Sequence, residues 1–116
     1  FRSYDFVPRA AHHILKHGDL VGVDTNISEF PDAPVAIWWV DNFGNCKTTV
    51  LKGEENLLSD RFQDLEVYPR LKDVPDNTNA LIQGSSGLDG KRFLEIVSQG
   101  RSVSRILSFS SGETIG

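Results

Sequence analysis

Asp41, Phe43 and Asn45, spaced two apart in Val40-Asp41-Asn42-Phe43-Gly44-Asn45, are the residues of this chain best suited to chemistry. A planar heterocycle needs an aromatic or apolar surface for its face and paired donors and acceptors for its edge. Phe43 supplies the surface, and the Asn45 amide carries a donor and an acceptor on one group. Asp41 supplies a carboxylate for an ammonium. The same residue types also start tight turns. On residue type alone, a turn with Phe43 plugging the end of a barrel is an equal reading. Further along, the backbone around Arg101 to Val103 stands where a strand passes into a helix, and its N–H groups suit ring nitrogens.

Other candidates fail on spacing. His13 and His17 stand i, i+4 on one helix face, but no Glu follows His13 and no third ligand is near, so with His12 they read as solvated surface. Ser85-Ser86-Gly87-Leu88-Asp89-Gly90-Lys91 echoes a phosphate loop. It has Ser85 where Gly is required, Arg92 where Ser or Thr is required, and a strand behind it instead of a helix. Gly84-Ser85-Ser86-Gly87 misses the spacing of a nucleophile elbow. Asn26-Ile27-Ser28 is a formal glycosylation sequon without a secretory signal, a chance match.

The elements that must position these residues follow from periodicity. Val7, Ala10, Ala11, Ile14 and Leu15 form one helical stripe, with Pro8 in the first turn and Gly18 as the stop. A connector over 19–34 holds the short apolar run Leu20-Val21-Gly22-Val23. Val35 to Val40 reads as a strand buried on both faces and Cys46 to Leu51 as its hairpin partner, with Gly44 able to take positive φ between them. Residues 52–63 form a short helix or loop, Asp64 to Tyr68 a strand, and Pro69 and Pro75 bracket an irregular segment. Ala80 to Gln83 is a strand, Gly84 to Gly90 a turn-rich loop, and Arg92 to Ser98 a strand. Val103, Ile106 and Leu107 share a helical face, and Glu113-Thr114-Ile115 is a last strand signal. The sum is a mainly β domain, a small antiparallel barrel or sandwich with one N-terminal helix and short helical turns.

Length and composition narrow the function classes. The 116 residues suit one domain with a single modest core, and 39% hydrophobic with 24% charged residues describes an ordinary globular chain. A net charge of −4 with scattered basic residues excludes general nucleic-acid backbone binding. No apolar run approaches membrane-spanning length. Cys46 is the lone cysteine, which excludes an internal disulfide and fits a reducing, cytoplasmic setting. The chain opens at Phe1 and lacks methionine altogether, so an excised or processed fragment is the expectation.

Taken in order, several motifs make the chain resemble the C-terminal β-domain of the S-adenosyl-L-methionine hydrolases, the hydroxide adenosyltransferases, to which the fluorinases and chlorinases are related. Tyr4-Asp5-Phe6-Val7-Pro8-Arg9-Ala10-Ala11 resembles the segment that ends the family's larger N-terminal α/β domain. Asp41, Phe43, Gly44 and Asn45 match its Asp-x-Phe-Gly-Asn motif, followed by Thr48 and Thr49. Pro69-Arg70-Leu71-Lys72-Asp73 resembles a segment whose aromatic residue stacks on adenine in the halogenases, a place held here by Leu71. Ser85-Ser86-Gly87 is similar to the Asn-Ser-x-Gly loop, Phe93-Leu94-Glu95-Ile96 to the strand after it, and Ser102-Val103-Ser104 to a small-residue turn preceded by Arg101.

The resemblance implies a division at 1–18, the end of a preceding domain or a linker helix, and 19–116, a C-terminal β-barrel domain. It implies that Asp41 and Ser86 hold the methionine part of the substrate. Phe43 and Asn45 would line the adenosine pocket, with Leu71 against the adenine face and the backbone near Arg101 and Val103 reading its edge. The family's reaction is attack of an activated water on the ribose C5′ carbon, releasing adenosine and L-methionine; the halogenases use halide, and neither needs a cofactor. The water-activating groups belong to the N-terminal α/β domain of a neighbouring subunit in a homotrimer. The expectation is therefore a substrate-binding and oligomerisation domain that neither hydrolyses nor halogenates alone and binds substrate weakly or not at all. The competing expectation is a non-catalytic β-domain for subunit assembly or protein interaction. In it Asp41 and Asn45 only form a turn, and Trp38 and Trp39 pack core and interface.

Overall fold

Proline in a first helical turn and glycine past the last one set the limits of the N-terminal helix in the computed structural model, which describes residues 2–19 and 22–116. Leu20 and Val21, half of the apolar run expected in the connector, lie outside the described residues. The chain forms two compact units, 1–31 and 32–116. In the first, a π-helical stretch Arg2–Phe6 leads into α1, Val7–His17, which Gly18 closes at φ 80° by donating its N–H to the Ile14 carbonyl. His13 and His17 rings lie 4.5 Å apart, and among the described residues no three His, Cys, Asp or Glu side chains are grouped to hold a metal ion. No helix among the described residues is long and apolar enough to cross a membrane.

The second unit is one five-stranded sheet. Its strands are β1 Ile37–Val40, β2 Cys46–Leu51, β3 Val67–Tyr68, β4 Asn79–Leu88 and β5 Lys91–Ser98, in the order β1-β2-β5-β4-β3. Every pairing is antiparallel except β3 with β4, which is parallel. A short helix α2, Val103–Leu107, follows β5, and the 52–73 region winds through 3-10 turns at Glu55–Leu57, Asp60–Phe62 and Leu71–Asp73. The mainly β fold with one N-terminal helix and short helical turns is the observed one.

Four local readings are corrected by pairing partners that composition does not reveal. The Gly84–Gly90 segment is no loop: β4 continues to Leu88, and only Asp89 and Gly90 turn into β5. A register shift between Gln83 and Gly87 absorbs the Gly-Ser-Ser-Gly run, whose small residues read as a turn until a neighbouring strand supplies the ladder. The strand expected over 64–68 shrinks to Val67–Tyr68, and that at 113–115 to one bridge, Thr114 with Ala36. There Ile37 donates to the Glu113 carbonyl and Ile115 to the Val35 carbonyl, covering part of the outer edge of β1. β1 itself is not buried on both faces. Trp38 and Trp39 are about half exposed, beside the register shift between Ile37 and Trp39.

Period-2 alternation divides the apolar residues between the two faces of the sheet. Ile37, Cys46, Val50, Leu81, Leu94 and Ile96 pack under Phe62, Val103, Phe109 and Ile115 in the larger core. Val74, Ala80, Ile82 and Val97, with Tyr68 and Leu71 against them, make the smaller one. On that second face a row of paired residues crosses all five strands: Trp39, Lys47, Glu95, Ile82 and Tyr68. At its centre Lys47 Nζ meets Glu95 Oε1 at 2.6 Å, with Glu95 buried. Gly84 leaves room for that carboxylate, since a Cβ there would approach Oε1 to 2.5 Å.

Removing only the lysine strands a buried carboxylate, which costs more than replacing both ends by apolar groups. Lys47→Ala should lower unfolding free energy by about 2 kcal/mol, less than for a fully buried pair because Lys47 is partly solvated. Lys47→Met combined with Glu95→Leu should recover most of that loss in urea unfolding. A double variant as unstable as Lys47→Ala would show that the ion pair itself stabilises the sheet.

Candidate functional site

The β1–β2 connection is held by Asp41. Its Oδ1 accepts the N–H groups of Phe43 and Asn45, each at 2.9 Å, and its Oδ2 accepts Asn45 Nδ2 at 3.0 Å. The backbone closes the same turn, Asp41 N–H to the Asn45 carbonyl and Gly44 N–H to the Asp41 carbonyl. Burial pushes the Asp41 carboxyl up. The hydrogen bonds from Asn45 and Phe43 and the charge of Lys47 outweigh it and hold the group below its ordinary 3.8. The turn-forming role of Asp41 and Asn45 is therefore real. It also presents Phe43 outward, 79% exposed, while Asn45 is buried with an Oδ1 that accepts nothing among the described residues.

A second turn lies directly against the first. After β5, Arg101 donates its N–H to the Ser98 carbonyl and α2 begins at Val103, capped by Ser102. Ser104 donates its N–H to the Gly44 carbonyl at 3.0 Å. Gly44 sits at φ +84°, and a Cβ there would fall 1.9 Å from Ser102 Oγ and 2.9 Å from Ser104 Oγ. Only glycine satisfies both the positive φ and this approach.

Between these turns and the Leu71–Asp73 turn lies a cavity of about 510 Å³ with mainly apolar walls. Phe43, Asn45, Leu71 and Arg101 line it together. Arg101 is fixed along its rim by Nη2 donating to the Asn77 carbonyl at 2.6 Å. Ser98, Gly100 and Ser102 complete the wall; of the three, sequence drew out only Ser102, as part of the small-residue turn after Arg101. The signal for the other two was positional only: the end of a strand and the glycine after it. Ser98 Oγ is enclosed without a hydrogen-bond partner, as is Asn79 Oδ1, whose residue faces Ser98 across the β4–β5 ladder. A second, more polar depression of about 370 Å³ shares Phe43 and Ser102 with the first and reaches Asp41 and Arg105.

Of the seven residues anticipated as a substrate site, four meet in the main cavity and Asp41 borders its neighbour. Two stand apart. Val103 is fully buried in the larger core, so only its backbone stays near the site. Ser86 lies in β4 towards the hairpin tip, seven residues beyond Asn79, roughly 20 Å or more from the cavity end of the sheet. It is not part of this site, for the reason that its segment is strand and not loop.

No protein-family model matches the chain, and no curated protein matches it. Among solved structures, 68% of the chain matches an uncharacterized conserved protein from Thermotoga maritima at 24% identity and a TM-score of 0.51. The match spans about a third of that protein, 33% of its length, and the likeness is one of fold.

Gly44→Ala combines an unfavourable positive φ with overpacking and should destabilise the domain by about 2–4 kcal/mol in thermal or urea unfolding. Asp41→Ala should cost about 1–2 kcal/mol at pH 7. Because the folded-state pKa of Asp41 is depressed, the stability it supplies is present above its unfolded value and fades as pH falls through the folded one. The gap between wild type and Asp41→Ala should thus narrow as pH falls below the ordinary carboxylate value of 3.8. A gap independent of pH would show that the charge of Asp41 contributes nothing to the turn.

Proposed function

We propose that residues 32–116 form the adenosine-holding and assembly domain of an enzyme that hydrolyses S-adenosyl-L-methionine to adenosine and L-methionine. One observation carries the reading. Phe43, Asn45, Leu71 and Arg101, from three separate segments of the chain, line one cavity of about 510 Å³, within the size range of small-molecule sites. In this reading Phe43 and Leu71 take the faces of the adenine ring, and Asn45 Oδ1 accepts its exocyclic amine. Arg101 lies along the rim, its own N–H spent on Ser98.

The groups in the two turns and at the start of β2 suit binding better than bond cleavage. Asp41 accepts three hydrogen bonds and its carboxyl is held acidic, which makes it a poor base. The Cys46 thiol, fully buried, is pushed up to about 11 by burial and then by the negative charges of Asp41 and Glu113, which makes it a poor nucleophile. Ser102 and Ser104 hydroxyls bond each other at 3.1 Å. Water activation would fall to a separate N-terminal α/β domain, brought alongside in a cytoplasmic homotrimer, with no cofactor. The assembly reading has its own support in Trp38 and Trp39, adjacent and half exposed on β1, and in this proposal both roles reside in one domain.

Titration of the labelled chain with adenosine, followed by amide chemical shifts, should give weak, millimolar binding. The shifts should move at Phe43, Asn45 and Arg101 and stay still at Ser86. Incubation with S-adenosyl-L-methionine should release neither adenosine nor methionine. Turnover by the chain, or no shift change at saturating adenosine, would falsify the proposal. Asn45→Ala should abolish the shifts and leave the sedimentation coefficient unchanged; the opposite pattern would favour assembly alone.

A further inference from the structure

The polar depression beside the main cavity has a chemistry of its own. It lies between the Asp41–Gly44 turn and the start of α2, and only Phe43 and Ser102 are common to both hollows. On one side stands Asp41. A carboxylate offers about four lone-pair positions, and three hydrogen bonds reach Asp41, two to Oδ1 and one to Oδ2. Oδ2 therefore retains capacity for another donor. On the other side stands Arg105, exposed, with a guanidinium that makes no ion pair among the described residues. A carboxylate with a spare lone pair faces a hollow that an unpaired guanidinium also borders. A zwitterion fits that pairing, its ammonium on Asp41 and its carboxylate on Arg105. Ser86, the residue anticipated for this end of the ligand, is at the far end of β4 and leaves the role vacant.

We infer that Arg105 binds the α-carboxylate of the ligand, so that the two hollows together take a nucleoside joined to a zwitterionic α-amino acid. This rests on the main cavity being the nucleoside site. Arg105 is then a specificity residue: it discriminates for the amino-acid end and does not touch the ring.

The test uses the whole 116-residue chain and three probes: adenosine, S-adenosyl-L-homocysteine, and the carboxamide of S-adenosyl-L-homocysteine. Amide shifts at Phe43, Asn45 and Arg101 report the nucleoside, and affinities come from the same titrations. Wild type should bind S-adenosyl-L-homocysteine about tenfold more tightly than its carboxamide. Arg105→Gln should erase that difference while leaving adenosine affinity and thermal midpoint unchanged, since the side chain is exposed and unpaired. Arg105→Lys should restore part of the preference. If Arg105→Gln binds S-adenosyl-L-homocysteine as wild type does while adenosine still shifts the three amides, the inference is wrong and the nucleoside reading stands. If no probe shifts those amides, both fall.

Discussion

The hydrogen bond from the Ser104 N–H to the Gly44 carbonyl is the contact on which the geometry of the site depends. It joins two turns that are remote in sequence, and the entropy of bringing them together is already met by the sheet, where Cys46 pairs with Ile96. Once β2 and β5 are adjacent, their ends at Asn45 and Ser98 emerge side by side. The remaining question is how closely the two turns can approach, and the absence of a side chain at Gly44 answers it. With a Cβ the Ser102 and Ser104 side chains would have to withdraw from the first turn.

The two readings of Asp41 turn out not to compete. Its carboxylate shapes the turn through three internal hydrogen bonds, and the same bonds keep it charged. A group already immobilised and ionised has little orientational entropy left to lose on meeting a cation. The commitment of Asn45 Nδ2 to Asp41 has a parallel effect: it leaves Oδ1 as the uncommitted end of an amide whose residue lines the cavity.

Much of the fold was legible because local chemistry and tertiary context agree there. Pro8 and Gly18 bound α1, the β1–β2 hairpin follows from its apolar run and turn, and the spacing of Val103, Ile106 and Leu107 marks α2. Legibility failed where a partner strand overrides composition. Gly84-Ser85-Ser86-Gly87 carries turn residues, yet β5 supplies a ladder that carries β4 through them, and Ser86 moves from candidate ligand to strand residue. Arg105 was invisible for the converse reason. A lone arginine in a short helix has no pattern to distinguish it, and only the docking of α2 on Gly44 places it across a hollow from Asp41. Leu71 and Arg101, which no periodicity links, were drawn out by the ordered resemblance, and both line the cavity.

The cavity is built as one wall. Phe43 is 79% exposed at its rim, and the apolar surface of such a ring is worth roughly 1.5–3 kcal/mol when fully buried. Folding of this domain leaves most of that free energy unrealised. A ligand lying on Phe43 would recover part of it, but a nucleoside covered on one side keeps the other in water, and affinity grows with the fraction of the ligand enclosed. The same geometry that limits binding by the domain alone makes the site responsive to whatever closes over it, because the second surface would bury Phe43 and the ligand's free face together. In the proposed function that coupling links assembly to substrate capture: the two events share one apolar contact, and each makes the other more favourable.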